Sequence, residues 1–299
     1  MSCPPCLPTA TYSNGDAKAT ANNSITSWSS PGNVNYRENL FRDSLMDANE
    51  RFELAGKVAL VTGGSRGLGR SMVLAFAEAG ADVVIASRKL DACEELAAHI
   101  EGTTGRRALA VSAHVGKWDQ IDRLAEAAYD EFGKVDVLVN NAGMSPLYDT
   151  LADVTEDLWD KVLDVNLKGP FRLTSIIGPR MAEGDGGSII MVSTTGSLNP
   201  APHILPYAAA KSGVNALTVG FAKAFGPTVR VNCIVPGPFL TDVSTHWDME
   251  AFEERARTSI PLRRGGQPDE IIGAALYFAS SASSFTTGAS LIVSGGSMS

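Results

Sequence analysis

Basic charge is in short supply in this 299-residue chain, where 25 Lys and Arg stand against 33 Asp and Glu, a formal net charge of −8. An acidic protein without a basic run has little to offer a phosphate backbone or an anionic lipid surface, so neither nucleic acid nor membrane is an expected partner. Long apolar stretches are missing too, and none approaches the roughly 18 residues of a spanning helix. The first residues lack the apolar centre of a secretory leader and the arginines of a mitochondrial presequence. Cysteine is scarce, at 4 in the whole chain. That is too few for a disulfide framework, and a reducing, cytoplasmic setting is expected. Cys3 and Cys6 have redox or metal spacing. They lack a βαβ context and a second ligand pair, so no metal is expected.

What is present is a globular composition, 44% hydrophobic and 19% charged, ample for one large α/β domain. Residues 1–36 are mostly Ser, Thr, Asn, Ala, Gly and Pro, the composition of a mobile arm. From Tyr36 to Phe52, the residues Leu40, Phe41, Leu45 and Met46 recur at near-helical spacing, which predicts a short helix packed on the domain or on a neighbouring subunit. Residues 1–52 therefore read as a polar, partly disordered arm and 53–299 as a single domain.

The stretch from Lys57 to Gly80 organises that domain. Val58 to Val61 is a continuous apolar run, as in a strand buried on both faces. Gly63, Gly67 and Gly69 follow at once, and Met72, Val73, Phe76 and Ala77 then recur at helical spacing. Strand, glycine turn and helix in that order make a phosphate site, because the helix start offers unpaired N–H groups and a positive dipole end. Strand and helix patterns alternate from there. Strands are predicted at 82–86, 107–111, 135–139, 188–192, 229–235 and 290–293. Helices are predicted at 90–101, 118–132, 155–181, 207–225 and 268–279, the long one crossed by Gly169-Pro170. The expected fold is α/β and Rossmann-like: a doubly wound, seven-stranded parallel sheet with helices on both faces. Ligands in such sheets sit at the carboxyl ends of the strands.

Strand two ends Ala86-Ser87-Arg88-Lys89. An NAD enzyme usually places a carboxylate there for the ribose 2′-OH. An arginine instead can grip a 2′-phosphate with two parallel hydrogen bonds, and Arg66 adds a second charge, which predicts NADP(H). Asn140-Asn141-Ala142-Gly143 follows strand four and suits a wall beside the adenosine or a brace for neighbouring loops. Tyr207 and Lys211 lie one turn apart on a helix, where an ammonium would favour the phenolate and lower the tyrosine pKa. Ser193 and Thr194 end strand five, and Asn166 interrupts an apolar helix face.

At these residues the chain resembles the short-chain dehydrogenase/reductase family, over about residues 55–296. The matching pieces are Thr62-Gly63-xxx-Gly67-x-Gly69, Asn140-Asn141-Ala142-Gly143, Asn166, the hydroxyls at 193–195, Tyr207-xxx-Lys211 and Pro236-Gly237. The resemblance implies that Tyr207 is the acid–base, that Lys211 lowers its pKa and holds the nicotinamide ribose, and that Asn166 orders a relay water. It implies a cofactor lying along Gly63, Ser65, Arg66, Gly67, Leu68, Gly69, Arg88, His114, Val115, Asn141, Ala142, Gly143, Tyr207, Lys211, Pro236, Gly237 and Thr241. It also implies a homotetramer. The chain looks most like NADPH-dependent carbonyl and retinal reductases of peroxisomal type, through Ser87-Arg88-Lys89, His114-Val115-Gly116-Lys117 and Pro200-x-Pro202-xxx-Pro206-Tyr207. It departs from the family at His114 and Ser294, where aspartates are common. Its last triplet, Ser297-Met298-Ser299, is not a peroxisomal address.

The catalytic hydroxyl has two readings. Counting thirteen residues back from Tyr207 lands on Thr194, whereas the common Ser-x-x-Gly form lands on Ser193. Strand alternation sends the two to opposite faces, and register favours Thr194. The expected activity is hydride transfer from NADPH to a ketone or aldehyde of a lipophilic small molecule. The pocket would be lined by Met144, Leu147, Tyr148, His203 to Leu205 and Phe239 to Met249 with Trp247. A 3-oxoacyl thioester reductase is the alternative, and a non-catalytic NADPH-binding regulator a third reading.

Overall fold

Five consecutive buried residues, Val58–Thr62, form strand β1, and none faces water on either side. The other strands are β2 (Asp82–Ser87), β3 (Ala108–Ser112), β4 (Val137–Asn140), β5 (Gly187–Val192), β6 (Val229–Pro236) and β7 (Ser290–Val293), the inner ones mostly buried and the two edge strands β3 and β7 partly exposed. The computed structural model describes residues 48–298 apart from 243, 245 and 246. The seven strands make one sheet in the order β3-β2-β1-β4-β5-β6-β7, with every pairing parallel. The fold is the doubly wound, Rossmann-like architecture that the alternation predicts.

Helices cover both faces because successive strand side chains point to opposite sides. Ala59 and Val61 of β1 join one core, with Met72 and Phe76 of α1 (Gly67–Glu78), Leu96 and Ile100 of α2 (Leu90–Thr104) and Phe278 of α8 (Ile272–Ala279). Val58 and Leu60 join the other, with Ile121 and Leu124 of α3 (Trp118–Phe132), Leu173 and Ile177 of α5 (Gly169–Glu183) and Val214 of α6 (Leu205–Phe225). Order reverses between β1 and β4, which both leave the sheet beside each other, and a crevice for ligand opens there.

Three expectations need correction or placement. The stretch read as one helix over 155–181 is two, α4 (Glu156–Leu163) and α5, joined by a π-helical turn at Asp164–Lys168. The Gly169 N–H reaches back to the Asp164 carbonyl, and Pro170 has no N–H to continue the ladder. A further helix, α7 (Met249–Ser259), begins where the Asp248 carboxylate accepts the Ala251 N–H at 3.0 Å; Asp248 was the legible signal for it. The arm and most of the predicted 36–52 helix lie outside the described residues, and at its end Glu50–Phe52 is a 3₁₀ turn.

The amino end of the sheet is tied by one carboxylate. Asp136, just before β4, accepts the Val58 N–H at 2.9 Å and meets Lys57 Nζ at 3.1 Å and Lys134 Nζ at 3.0 Å. Asp136→Ala would leave a buried backbone N–H without an acceptor. The expected loss is about 1–3 kcal/mol in urea unfolding, and Asp136→Asn, which keeps an acceptor, should lose less.

Candidate active site

The site begins at the turn between β1 and α1. Gly63 and Gly67 have φ of +64° and +52°, angles that favour glycine. Gly69 is needed for another reason: a Cβ there would lie 2.1 Å from the Gly63 carbonyl oxygen. Arg66 precedes α1 and no side chain caps it, so its first-turn N–H groups face outward for an anion. Leu68 packs against the core beneath, while Ser65 lies over Cys93 of α2. The loop after β4 is bound to this turn. The Thr62 hydroxyl accepts N–H groups from Asn141 at 3.0 Å and Ala142 at 3.1 Å, and Asn141 Nδ2 donates to the Thr62 carbonyl at 2.9 Å. Asn141 is thus a brace between loops, one of the two roles its sequence position suggested.

At the end of β2, Arg88 is exposed, and among the described residues its guanidinium has no ion-pair partner. Arg66 meets Asp242 at 3.8 Å. Beneath them Cys93 Sγ lies 3.1 Å from Ser87 Oγ. Burial pushes this thiol above its ordinary range, against hydrogen bonds from Ser87 and Ser65. After β3, His114 Nδ1 accepts the Gly116 N–H at 3.0 Å, which leaves Nε2 as the donor nitrogen of the neutral ring. Val115 is buried against the start of α5, where Gly169 leaves room for its carbonyl. Thr241 lies against Gly67, and the Pro236–Gly237 turn lies against Ser294.

Asn166 sits in the π-helical turn, fully buried. Its amide donates to the Met144 carbonyl at 2.8 Å and the Val162 carbonyl at 2.9 Å, and its Oδ1 accepts the Met144 N–H at 3.1 Å. The side chain is therefore occupied in holding the segment after Gly143. Its backbone carbonyl would find its α-helical donor at position 170, which is proline.

Strand β5 ends at the two candidate hydroxyls. Ser193 is buried and turns inward, its Oγ 3.1 Å from Ser197 Oγ and 3.2 Å from the Lys211 carbonyl. Thr194 is partly exposed, its Oγ1 accepts the Gly196 N–H at 3.2 Å, and its hydroxyl acts on Tyr207. Lys211 Nζ lies 5.9 Å from the centre of the Tyr207 ring and donates to the Val192 carbonyl at 2.7 Å. Burial draws the Lys211 ammonium down to about 8 and pushes the Tyr207 phenol up to about 12, the latter opposed by Thr194. The expected direction for Tyr207 is thereby corrected in the protein alone. Removal from water outweighs its neighbours, and the lysine ammonium is directed to a backbone carbonyl rather than the phenol oxygen.

The structure brings Thr194, Tyr207, Lys211, Asn166 and the glycine turn to one edge of the sheet. Of the expected pocket lining, Leu147 is 75% exposed on the loop after β4, and the Trp247 ring meets Phe252 at a tilt of 45° with centres 5.1 Å apart. Phe239 is instead buried in the main core. The Tyr148 hydroxyl joins two loops, donating to the Pro202 carbonyl at 2.6 Å and accepting the Leu205 N–H at 2.9 Å at the start of α6. Sequence reading missed this latch, and it also missed Cys93, Ser197 and Asn215. For Asn215 a signal existed, since it lies on the Tyr207 and Lys211 face of α6, one further turn on.

The chain is similar to known proteins over most of its length. The sequence model of a family described as enoyl-(acyl carrier protein) reductase matches residues 63–298. Dehydrogenase/reductase SDR family member 4 of Homo sapiens is 36% identical over 248 residues, 82% of this chain and 89% of that protein. The solved NADPH-dependent 3-quinuclidinone reductase of Rhodotorula rubra superposes with a TM-score of 0.80 at 29% identity, covering 84% of this chain and 95% of that one. A 3-oxoacyl-(acyl-carrier-protein) reductase of Agrobacterium tumefaciens, solved with NADP bound, gives 0.79 at 31% identity, with 84% and 98% covered. The chain belongs to the short-chain dehydrogenase/reductase family of oxidoreductases.

The lysine makes a prediction about stability. Its folded pKa of about 8 lies below the ordinary 10.5. Between those values the unfolded chain holds a proton that the folded chain has released, so stability gains as pH rises. The stability of wild type relative to Lys211→Met should climb across that window, with a limiting slope of about 1.4 kcal/mol per pH unit, and level off outside it. Urea unfolding of both proteins through the window measures it.

Proposed function

We propose that this member of the family is an NADPH-dependent carbonyl reductase, acting on a ketone or aldehyde of a lipophilic small molecule. The observation that carries the reading is the meeting of the Thr194 hydroxyl, the Tyr207 phenol and the Lys211 ammonium beside the glycine turn. NADPH, when bound, supplies the hydride. The turn at Gly63, Ser65, Gly67 and Gly69 suits its pyrophosphate, Arg88 and Arg66 its 2′-phosphate, and His114 and Val115 its adenine end. Pro236, Gly237 and Thr241 border the nicotinamide end, and Lys211 holds its ribose. The similar structure with bound NADP supports this choice of cofactor.

The chemistry follows from the ionisation states. With its pKa raised to about 12, the phenol keeps its proton at neutral pH. That is the form able to donate to a carbonyl oxygen as negative charge develops on it. Thr194 Oγ1 accepts the Gly196 N–H with a lone pair, and its one proton, directed to Tyr207, can turn to stabilise that oxygen. Lys211 is still charged at neutral pH and is placed to offset the phenolate that results. The Asn166 carbonyl, whose α-helical donor position is Pro170, orders the water that returns a proton.

Exposed Leu147 and Leu198 on loops, with Leu205 at the start of α6, support a lipophilic substrate. A 3-oxoacyl thioester reductase is the second reading, favoured by the similar structure of that activity. Turnover of acyl thioesters against free ketones separates them, and absence of turnover with both would leave a cofactor-binding regulator. Phe171 on α5 and Val219 on α6 are apolar side chains exposed to solvent, which fits the homotetramer that the resemblance implies, read directly by light scattering. A cytoplasmic location and a dispensable arm over residues 1–52, with one domain over 53–299, complete the proposal; fractionation and deletion of the arm check them.

Two sets of kinetics test the reading. NADPH should be preferred over NADH, and Arg88→Asp should narrow or reverse the preference, at a cost of about 1.5–3 kcal/mol in kcat/KM with NADPH. Equal efficiency with both cofactors in wild type rejects the assignment. In the second set, Tyr207→Phe should abolish reduction while NADPH still binds. Thr194→Ala should lower kcat by about 10²–10³, the usual loss of an oxyanion donor, with Ser193→Ala mild. The reverse ordering would move the donor role to Ser193.

A further inference from the structure

We propose that Asn215 is a positioning residue for the catalytic hydroxyl: it holds Thr194 in place through Ser197. The inference rests on the reading of Thr194 as the donor to the substrate oxygen.

Tyr207, Lys211 and Asn215 are spaced four residues apart and share one face of α6. Each engages the segment at the end of β5. Lys211 Nζ holds the Val192 carbonyl at 2.7 Å, and Tyr207 lies beside the Thr194 hydroxyl. Asn215 Nδ2 donates to Ser197 Oγ at 2.9 Å, and Ser197 Oγ donates to the Thr194 carbonyl at 2.7 Å. Three turns of one helix therefore hold 192, 194 and 197. Of these contacts only that of Tyr207 with Thr194 was expected from the resemblance.

The direction of the chain of bonds is determined by counting. A hydroxyl has one proton and two lone pairs. Asn215 Nδ2 can only donate to Ser197 Oγ and the Thr194 carbonyl can only accept, so the one Ser197 proton goes to that carbonyl; Ser193 Oγ, 3.1 Å from Ser197 Oγ, divides its own proton between that oxygen and the Lys211 carbonyl. The amide is oriented in turn, because Cys233 Sγ lies 3.8 Å from Asn215 Oδ1. With the oxygen turned to the thiol, only Nδ2 faces Ser197. The Ser212 hydroxyl adds a bond to the Ser197 carbonyl at 2.9 Å. A merely structural amide would fill a gap in packing. This one ends on the backbone of the residue whose hydroxyl must point at the substrate, just where the strand ladder stops supporting it.

The test is a double-mutant cycle read in kcat. Asn215→Leu should lower kcat about tenfold, the size of one neutral hydrogen bond, with KM for NADPH unchanged. In a Thr194→Ala background the same change should cost less than twofold, because the hydroxyl it positions is gone. Thermal unfolding and NADPH fluorescence check that each variant is folded. Ser197→Ala removes the same link and should reproduce the loss without adding to it, and it carries the test alone should Asn215→Leu not fold. A tenfold loss that persists in the Thr194→Ala background overturns the proposal and leaves Thr194 as donor. An unimpaired Thr194→Ala enzyme overturns the assignment of the donor itself, and this proposal with it.

Discussion

Gly69 and the Gly63 carbonyl stand so close that a methyl group between them would lie 2.1 Å from the oxygen. Everything at the carboxyl edge of the sheet depends on that approach. It lets α1 start directly above β1, with its first N–H groups turned to the crevice. It also leaves the Thr62 hydroxyl and carbonyl, with the Gly63 carbonyl, within reach of Asn141 and Ala142. The loops after β1 and β4 are one hydrogen-bonded unit, and β4 passes the constraint on through Gly143. A Cβ on Gly143 would lie 2.9 Å from Asn166 Oδ1 and 3.6 Å from Lys211 Nζ. Absent side chains thus set how closely the catalytic groups can gather.

The gathered groups change one another less than burial changes them. Both Tyr207 and Lys211 move towards their neutral forms, the phenol up and the ammonium down, as desolvation demands of acid and base alike. Cys233 behind them is pushed up to about 11 for the same reason. The protein alone therefore holds a protonated phenol ready to give its proton, which suits reduction. Around this apolar centre the polar groups are engaged pairwise. The Asn166 side chain goes to Met144 and Val162, and Ser193 goes to Ser197 and Lys211.

Much of this was legible beforehand, because parallel strands buried on both faces are continuous apolar runs and glycine turns punctuate them. The seven strands, the cofactor turn and the Tyr207–Lys211 pair could all be read locally. The π-helical turn could not be placed, although Gly169-Pro170 marked the disturbance; a missing N–H says that a ladder must change but not over which residues. Phe239 was read as pocket lining and is core, since a single aromatic after a strand does not reveal which side of the loop packs inward.

By itself the sequence determined the order of elements, the sheet type, the positions of the glycine turn and of the Tyr207–Lys211 pair, and the basic end of β2. These are properties of neighbours in the chain: periodicity, glycine placement, residues one helical turn apart. Only the tertiary structure decided which hydroxyl faces Tyr207, that Ser193 turns inward, that Tyr148 latches the start of α6, and that Asn215 reaches the backbone of Thr194 through Ser197. Those contacts join segments that pack together only once the sheet has formed. Their partners are selected by the distance between β5 and α6 and by the count of donors and lone pairs around each hydroxyl, neither of which is written in local spacing.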